Sequence, residues 1–332
     1  MLTVGLIGAG RIGRVHASTI VQDEGSQLVA VADSVDENAK NLAKLYKVNP
    51  RSVDAIFEDN SIEAILIASS TDTHSDFIEK ASIAGKAILC EKPVDLSLAR
   101  AKRCLENTKS NEHSIMMGFN RRFDPNFVAL KNALDGGEIG TAELLSITSF
   151  DPAPPPIDYV KVSGGIFKDM MIHDFDMANF LYGELPKSVF VSASAIIDKK
   201  IGALGDYDTA VATLKYRDGR LAVIKNSRRA TYGYDQRIEV LGSKGLLQVQ
   251  NMVENSMVKS TEMGVESSKP EYFFLERYKS AYQNEWTAFV TAVKTKTPMP
   301  VSLSDGIAAL AIAEAAAASA EMGSEVEIAN FL

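Results

Sequence analysis

The chain has 332 residues, too many for one ordinary hydrophobic core, so two domains are expected. At 46% hydrophobic and 23% charged it has the composition of a folded globular protein, which excludes a disordered or low-complexity chain. A formal net charge of −8 argues against nucleic acid as the main partner. Two cysteines without metal spacing, Cys90 and Cys104, point to a reducing, cytoplasmic compartment. No basic leader precedes the first apolar run, so no signal peptide is expected. The Ala-rich run 307–322 reads as too short and too weakly hydrophobic to span a bilayer, so no membrane partner is expected.

Residues 2–7 form an apolar, β-branched run, and Gly8-Ala-Gly10-Arg11-Ile12-Gly13 follows at once. A helical stretch reaches about Asp23, and a second strand, 27–32, ends in Asp33. The glycine spacing allows a tight turn, close approach of backbone to a pyrophosphate, and tight helix–strand packing. A carboxylate 20 residues after Gly13 can take both ribose hydroxyls, and it repels a 2′-phosphate. NAD is therefore expected rather than NADP.

Alternation of helix and buried strand continues, with helices at 36–46, 72–85 and 96–110 and strands at 64–69, 87–90 and 115–118. This predicts a doubly wound parallel sheet, whose ligands sit beyond the carboxyl ends of strands. Three polar segments fall at such ends: Ser69-Ser70-Thr71-Asp-Thr-His74, Glu91-Lys92-Pro93, and Phe119-Asn120-Arg121-Arg122. Lys92 beside a nicotinamide could polarise a hydroxyl or carbonyl; the competing reading is a surface lysine paired with Glu91.

After Asn120 the pattern changes. A helix is expected at 125–135, a strand at 143–151, and a stiff proline connector at 152–156. The next stretch runs Gly164-Gly165-Ile-Phe-Lys-Asp169-Met-Met-Ile-His173-Asp-Phe-Asp176. Taken as one α-helix to about Tyr182, it sets Asp169, His173 and Asp176 at i, i+4 and i+7, on one face of a largely apolar helix. Such a face is costly to bury unless its groups have partners or a task. Alternating strands follow at 188–197, 208–216, 221–229, 236–241 and 246–249, with turn signals at Asp218-Gly219 and at 242–245. Their short connections predict a mostly antiparallel open sheet, one of whose faces another subunit would cover. Residues 254–269 read as a polar loop, 275–294 as one helix and 303–322 as a final helix that packs back on the first domain. The expected domains are 1–120 and 121–332.

The glycine motif, Glu91-Lys92-Pro93, Gly118-Phe-Asn-Arg121-Arg122-Phe-Asp124 and the segment 164–176 together resemble the Gfo/Idh/MocA oxidoreductase family over nearly the whole chain, and within it the inositol 2-dehydrogenases. That resemblance implies a Rossmann domain followed by an α+β domain with a large open sheet, assembly as a homotetramer through that sheet, and NAD-dependent oxidation of a cyclic polyol to a ketone. It implies Lys92, Asp169 and His173 as the catalytic set. The implied cofactor contacts are Gly8, Gly10, Arg11, Ile12, Gly13, Asp33, Ser70, Thr71, His74, Glu91 and Lys92. The implied polyol contacts are Lys92, Arg122, Asp169, His173, Asp176, Tyr232 and Tyr282.

The chemistry is consistent with those roles. A secondary alcohol that loses hydride must also lose its hydroxyl proton, and imidazole is suited to take it near neutral pH. Asp169 would orient His173 or the hydroxyl, and Lys92 would stabilise charge developing on oxygen. Three other readings compete: a metal held by Asp169, His173 and Asp176, which lacks a second nearby His or Cys; a core histidine capped by Asp169; and a dinucleotide-binding sensor without chemistry. His16 reads as helix packing, and no metal is expected.

Overall fold

The computed structural model describes residues 1–332. The chain divides into two compact units, Met1–Phe123 with Ser280–Leu310, and Asp124–Lys279 with Ala311–Leu332. Sequence order placed everything after residue 120 in the second domain, whereas residues 280–310 belong to the first unit. The final helix, Leu303–Met322, contributes to both.

In the first unit, six strands are β1 (Leu2–Ile7), β2 (Ser26–Ala32), β3 (Asn49–Pro50), β4 (Ala64–Ile67), β5 (Ala87–Glu91) and β6 (Ile115–Gly118). They form one sheet in the order β3-β2-β1-β4-β5-β6, every pair parallel. Strands covered on both faces must be apolar throughout. All four residues of β4 and of β6 are buried, as are Val4, Leu6 and Ile7 of β1. The order reverses at β1, where β2 lies on one side and β4 on the other, so β1 ends at the switch point where such sheets bind ligands. Sequence periodicity overlooked β3 and the short helix Val53–Glu58, which Ser52 caps by accepting from the Ala55 amide.

In the second unit, β7 (Ala142–Phe150), β8 (Ser188–Ser194), β9 (Thr209–Lys215), β10 (Leu221–Ser227), β11 (Asp235–Gly242), β12 (Gly245–Val249) and, beyond a further ribbon, β15 (Val326–Glu327) form a seven-stranded sheet. Its order is β12-β11-β7-β10-β9-β8-β15, antiparallel except where β7 meets β10. One face is packed. Leu145, Ile147, Ile224, Ala212, Leu214, Val191 and Val240 are all at most 2% exposed, and the helix Ile172–Tyr182 lies on this side. Buried Asp174 fastens that helix to the sheet, accepting from Ser149 Oγ at 2.6 Å on β7 and from Asn226 Nδ2 at 2.7 Å on β10.

Four expectations are corrected. The stretch 254–269 contains an exposed two-stranded ribbon, β13 (Val258–Thr261) with β14 (Gly264–Ser267), held by its own ladder and by the Lys259–Glu266 pair. The expected helix 275–294 is broken at Tyr278 into Phe274–Arg277 and Lys279–Thr295. A seven-residue helix, Ile157–Ser163, follows the proline connector and ends at Gly164, whose φ of 81° suits a left-handed cap. Finally, Leu303–Met322 has 20 residues and contains an 18-residue window of mean hydropathy 1.3, so length and composition alone admit a membrane span. Of that window 61% is buried inside the protein, as in a core helix.

Candidate functional site

The expected site residues fall into two sets, one in each unit. In the first unit, Gly8 has φ 105°, and a side-chain carbon there would lie 2.3 Å from the Ala68 carbonyl oxygen. At Gly13 it would lie 2.0 Å from the Gly8 carbonyl oxygen. At Gly10, by contrast, it would meet nothing within 4 Å. Two glycines are thus required by the protein's own packing, and the third leaves open space at the helix start. The helix Arg11–Gln22 begins there with no side-chain cap and no acid in its first turn. Its first amides and its positive dipole end are therefore available to an anion, as a pyrophosphate requires.

Asp33, at the end of β2, accepts from the Ala9 amide at 2.6 Å and from the Val35 amide at 2.8 Å. These bonds hold the acid against the glycine turn. Gly10, Arg11 and Ser70 are exposed, while Ile12, Asp33, Thr71 and Lys92 are half-buried. These residues form a rim at the ends of β1, β2, β4 and β5.

His74, expected at a helix start or on the cofactor, is the first residue of the helix His74–Ile83, and Glu91 closes β5. His74 is fully buried, with Nδ1 2.8 Å from the Pro93 carbonyl and Nε2 3.2 Å from the Ser69 carbonyl. Burial lowers its pKa despite those two carbonyls. Its ring is committed to joining the ends of β4 and β5. The Glu91 carboxylate lies 2.7 Å from His16 Nε2, and His16 is 1% exposed. His16 is therefore a tether from the first helix to the strand end that precedes Lys92. Tyr282, 6% exposed, packs edge-on against the same imidazole at 5.4 Å between ring centres. Arg122 donates to Asp305 at 3.2 Å. Burial alone would raise the pKa of Asp305, but Arg122 and the Ser302 hydrogen bonds hold it below the usual range.

In the second unit, Gly164 and Gly165 both have positive φ, 81° and 78°. A side-chain carbon on Gly165 would lie 2.7 Å from Asp206 Oδ1, the atom that accepts from the Ile166 amide at 2.9 Å. The next segment is not α-helical. Phe167–Met171 is a turn of π-helix that passes into the α-helix Ile172–Tyr182. The wider turn breaks the regular i, i+4, i+7 face expected from α period, a distortion frequent at functional sites. Asp169 and His173 are half-buried, whereas Asp176 is 1% exposed.

Asp169 is held from two sides, by the Tyr159 hydroxyl, which donates to Oδ1 at 2.8 Å, and by Arg228 Nη1, 3.3 Å from Oδ2. Arg228 is 1% exposed and also lies 4.0 Å from Asp206. The buried guanidinium thus ties both carboxylates to the end of the same strand. Sequence reading had missed Arg228; its only signal was a second cation closing a strand of buried alternation. Tyr232 donates to Asp235 at 2.5 Å, and burial followed by that carboxylate pushes its phenol up to about 12, so it is a neutral donor–acceptor at working pH.

Residues 2–119 match the oxidoreductase family with an NAD-binding Rossmann fold, and residues 127–248 match the Gfo/Idh/MocA C-terminal domain. The chain belongs to the Gfo/Idh/MocA oxidoreductase family. Among curated relatives, it is 48% identical over 325 residues to the inositol 2-dehydrogenase of Rhizobium meliloti strain 1021, covering 98% of each chain. Among solved structures, a myo-inositol dehydrogenase from Corynebacterium glutamicum superposes with a TM-score of 0.95 at 40% identity, covering 98% of each chain. The myo-inositol dehydrogenase of Lactobacillus casei, solved with NAD(H) and myo-inositol, superposes with a TM-score of 0.89 at 26% identity, covering 98% of this chain and 96% of that one. The parallel six-stranded sheet and the mostly antiparallel second sheet are the two halves of this family's fold. The glycine turn fits its NAD cofactor, with open space at Gly10 and an uncapped helix start.

Proposed function

We propose that this Gfo/Idh/MocA protein oxidises one ring hydroxyl of a cyclic polyol to a ketone, with myo-inositol converted to 2-keto-myo-inositol (scyllo-inosose). The reading is carried by the end-to-end likeness to inositol 2-dehydrogenases in a chain that keeps Lys92, Asp169 and His173. NAD, when bound, accepts the hydride. His173 takes the hydroxyl proton. Asp169, held in place by Arg228 and Tyr159, orients the imidazole and the hydroxyl. Lys92 stabilises negative charge developing on the alcohol oxygen. Arg122, Asp176 and Tyr232 bind neighbouring hydroxyls, which a polyol presents on all sides. We place the enzyme in the cytoplasm, where its two buried free cysteines stay reduced, with neither nucleic acid nor membrane as partner.

The test is a panel of myo-, scyllo- and chiro-inositol and glucose, each with NAD and with NADP, read by reduced-cofactor absorbance. Turnover is expected with NAD and an inositol, and only weakly with NADP, because Asp33 repels a 2′-phosphate. Absence of turnover with every polyol would overturn the enzyme reading in favour of a dinucleotide sensor.

We also infer a homotetramer built on the unpacked face of the second sheet. Leu246, Leu241, Leu144 and Leu221 are in register on β12, β11, β7 and β10, and are 39–46% exposed. A row of four leucines across adjacent strands is the kind of apolar surface another subunit covers. Replacing Leu144 and Leu241 together by Lys is expected to lower the solution mass to a smaller species by light scattering, since each buried leucine contributes about 1.5–3 kcal/mol. An unchanged mass would remove this face as the interface.

A further inference from the structure

Behind the strand end that carries Lys92 lies a group of buried ionisable residues that the mechanism above does not use. His16 comes from the helix Arg11–Gln22, Glu91 closes β5, and Glu285 with Tyr282 comes from the helix Lys279–Thr295. All belong to the first unit. His16 and Glu285 are each 1% exposed. The His16–Glu91 contact is 2.7 Å. Tyr282, one helical turn before Glu285, covers the imidazole edge. Neither Glu285 carboxyl oxygen has a hydrogen-bond donor among the protein groups. Glu91 is confined on its other side by β6: a side-chain carbon on Gly118 would lie 3.1 Å from the Glu91 Cα and 3.3 Å from its carboxyl carbon.

We propose that His16 and Glu285 are positioning residues for Lys92, acting through Glu91. The proposal rests on the catalytic role given to Lys92 above. Glu91 and Lys92 are consecutive, so the backbone that aims the lysine is the backbone that the Glu91 side chain anchors. His16 fastens that anchor to the same helix whose start receives the pyrophosphate, so the lysine and the cofactor turn share one rigid connection. Glu285 completes the anchor by staying uncharged. Burial first, and then the neighbouring Glu91 charge, push its acid well above the usual carboxylate range. A second carboxylate there would repel Glu91 and so work against the His16–Glu91 contact.

The linkage has a definite sign. A carboxyl whose folded pKa is raised contributes its stability fully below the ordinary carboxylate range and loses it as pH rises toward the folded value. The charged neighbour of Glu285 is Glu91 of β5, and Tyr282, one turn earlier on the Glu285 helix, packs on the His16 that pairs with Glu91. Ionising Glu285 therefore works against the His16–Glu91 contact, and both thermal stability and turnover decline as pH rises from the ordinary carboxylate range toward the folded value.

The experiment uses the full chain with His16→Phe, His16→Gln and Glu285→Gln. A displaced lysine costs roughly 10–100-fold in turnover. His16→Phe, which fills the ring volume without a donor, is expected to lower kcat by that factor with little change in the polyol KM, and His16→Gln, which keeps a donor, to recover most of it. Glu285→Gln is expected to flatten the decline of kcat and Tm with rising pH, and to abolish a protonated-carboxyl infrared band that the unaltered protein keeps above the ordinary carboxylate range. A third readout needs no substrate: the rate of Lys92 acetylation by a small reagent, followed by mass spectrometry against the other lysines, changes in His16→Phe and returns in His16→Gln. Unaltered Lys92 labelling and kcat in both His16 variants, or a decline of Tm with rising pH unchanged in Glu285→Gln, would overturn the proposal. If no polyol is oxidised at all, labelling and infrared still decide the positioning question apart from the enzyme reading.

Discussion

His173→Ala is expected to lower polyol turnover by about 10²–10⁴-fold, the range that general acid–base catalysis contributes, while NAD still binds. The two readouts separate because the imidazole lies in the second unit and the glycine turn with Asp33 in the first. The residual rate should also lose the acidic limb of its pH profile, since the group that must be deprotonated is gone. A small primary amine or imidazole added in solution restores part of the rate if the lost function is proton acceptance. Asp169 makes the result sharper. Its carboxylate remains bound by Arg228 and by Tyr159 in the variant, so the local backbone keeps its support and a fold defect does not mimic the chemical one. NADH formation near the wild-type rate would refute the role given to His173.

Much of the first unit was legible because its signals are local. An apolar run such as 2–7, a glycine turn and an acid at position 33 lie within one βαβ segment, and each has a short-range physical cause. The antiparallel strands of the second unit were legible for the same reason: alternation and turn residues such as Asp218-Gly219 act over a few positions. What escaped was non-local or irregular. The π-turn at Phe167–Met171 has no glycine or proline to announce it, so the α period puts Asp169, His173 and Asp176 on one regular face that the wider turn breaks. The Arg228–Asp169 contact spans 59 residues. The His16–Glu91 contact spans 75, and Glu285 reaches the same neighbourhood from the far end of the chain. His16 reads as packing because, on its own helix, only its apolar setting is visible. The resemblance to the family supplied the roles of Lys92, Asp169 and His173, but not the side chains that hold them.

Gly13→Ala and Gly10→Ala make a matched pair, because the fold treats the two glycines differently. At position 13 the new carbon would sit 2.0 Å from the Gly8 carbonyl oxygen and 2.8 Å from the Gly8 carbonyl carbon. Neither atom is the end of a flexible side chain, and Gly8 is itself fixed at φ 105° against Ala68. The turn must open, at a cost of about 1–3 kcal/mol for an overpacked site, so Tm falls. Opening also carries the first helical amides away from the pyrophosphate. Loss of one charge-assisted hydrogen bond, about 1.5–3 kcal/mol, corresponds to roughly 10–100-fold weaker NAD binding. At position 10 the backbone is already in the extended region, φ −70° and ψ −164°, which alanine adopts freely, and the new carbon meets nothing within 4 Å. Tm should therefore stay at the wild-type value in Gly10→Ala. NAD affinity should still fall, because the space left open by the protein is the space the pyrophosphate needs. Calorimetric titration with NAD beside a thermal melt of each variant gives both quantities. Wild-type NAD affinity in Gly10→Ala would mean that the pyrophosphate does not approach the backbone there, and wild-type Tm in Gly13→Ala would mean that the turn is looser than its geometry requires.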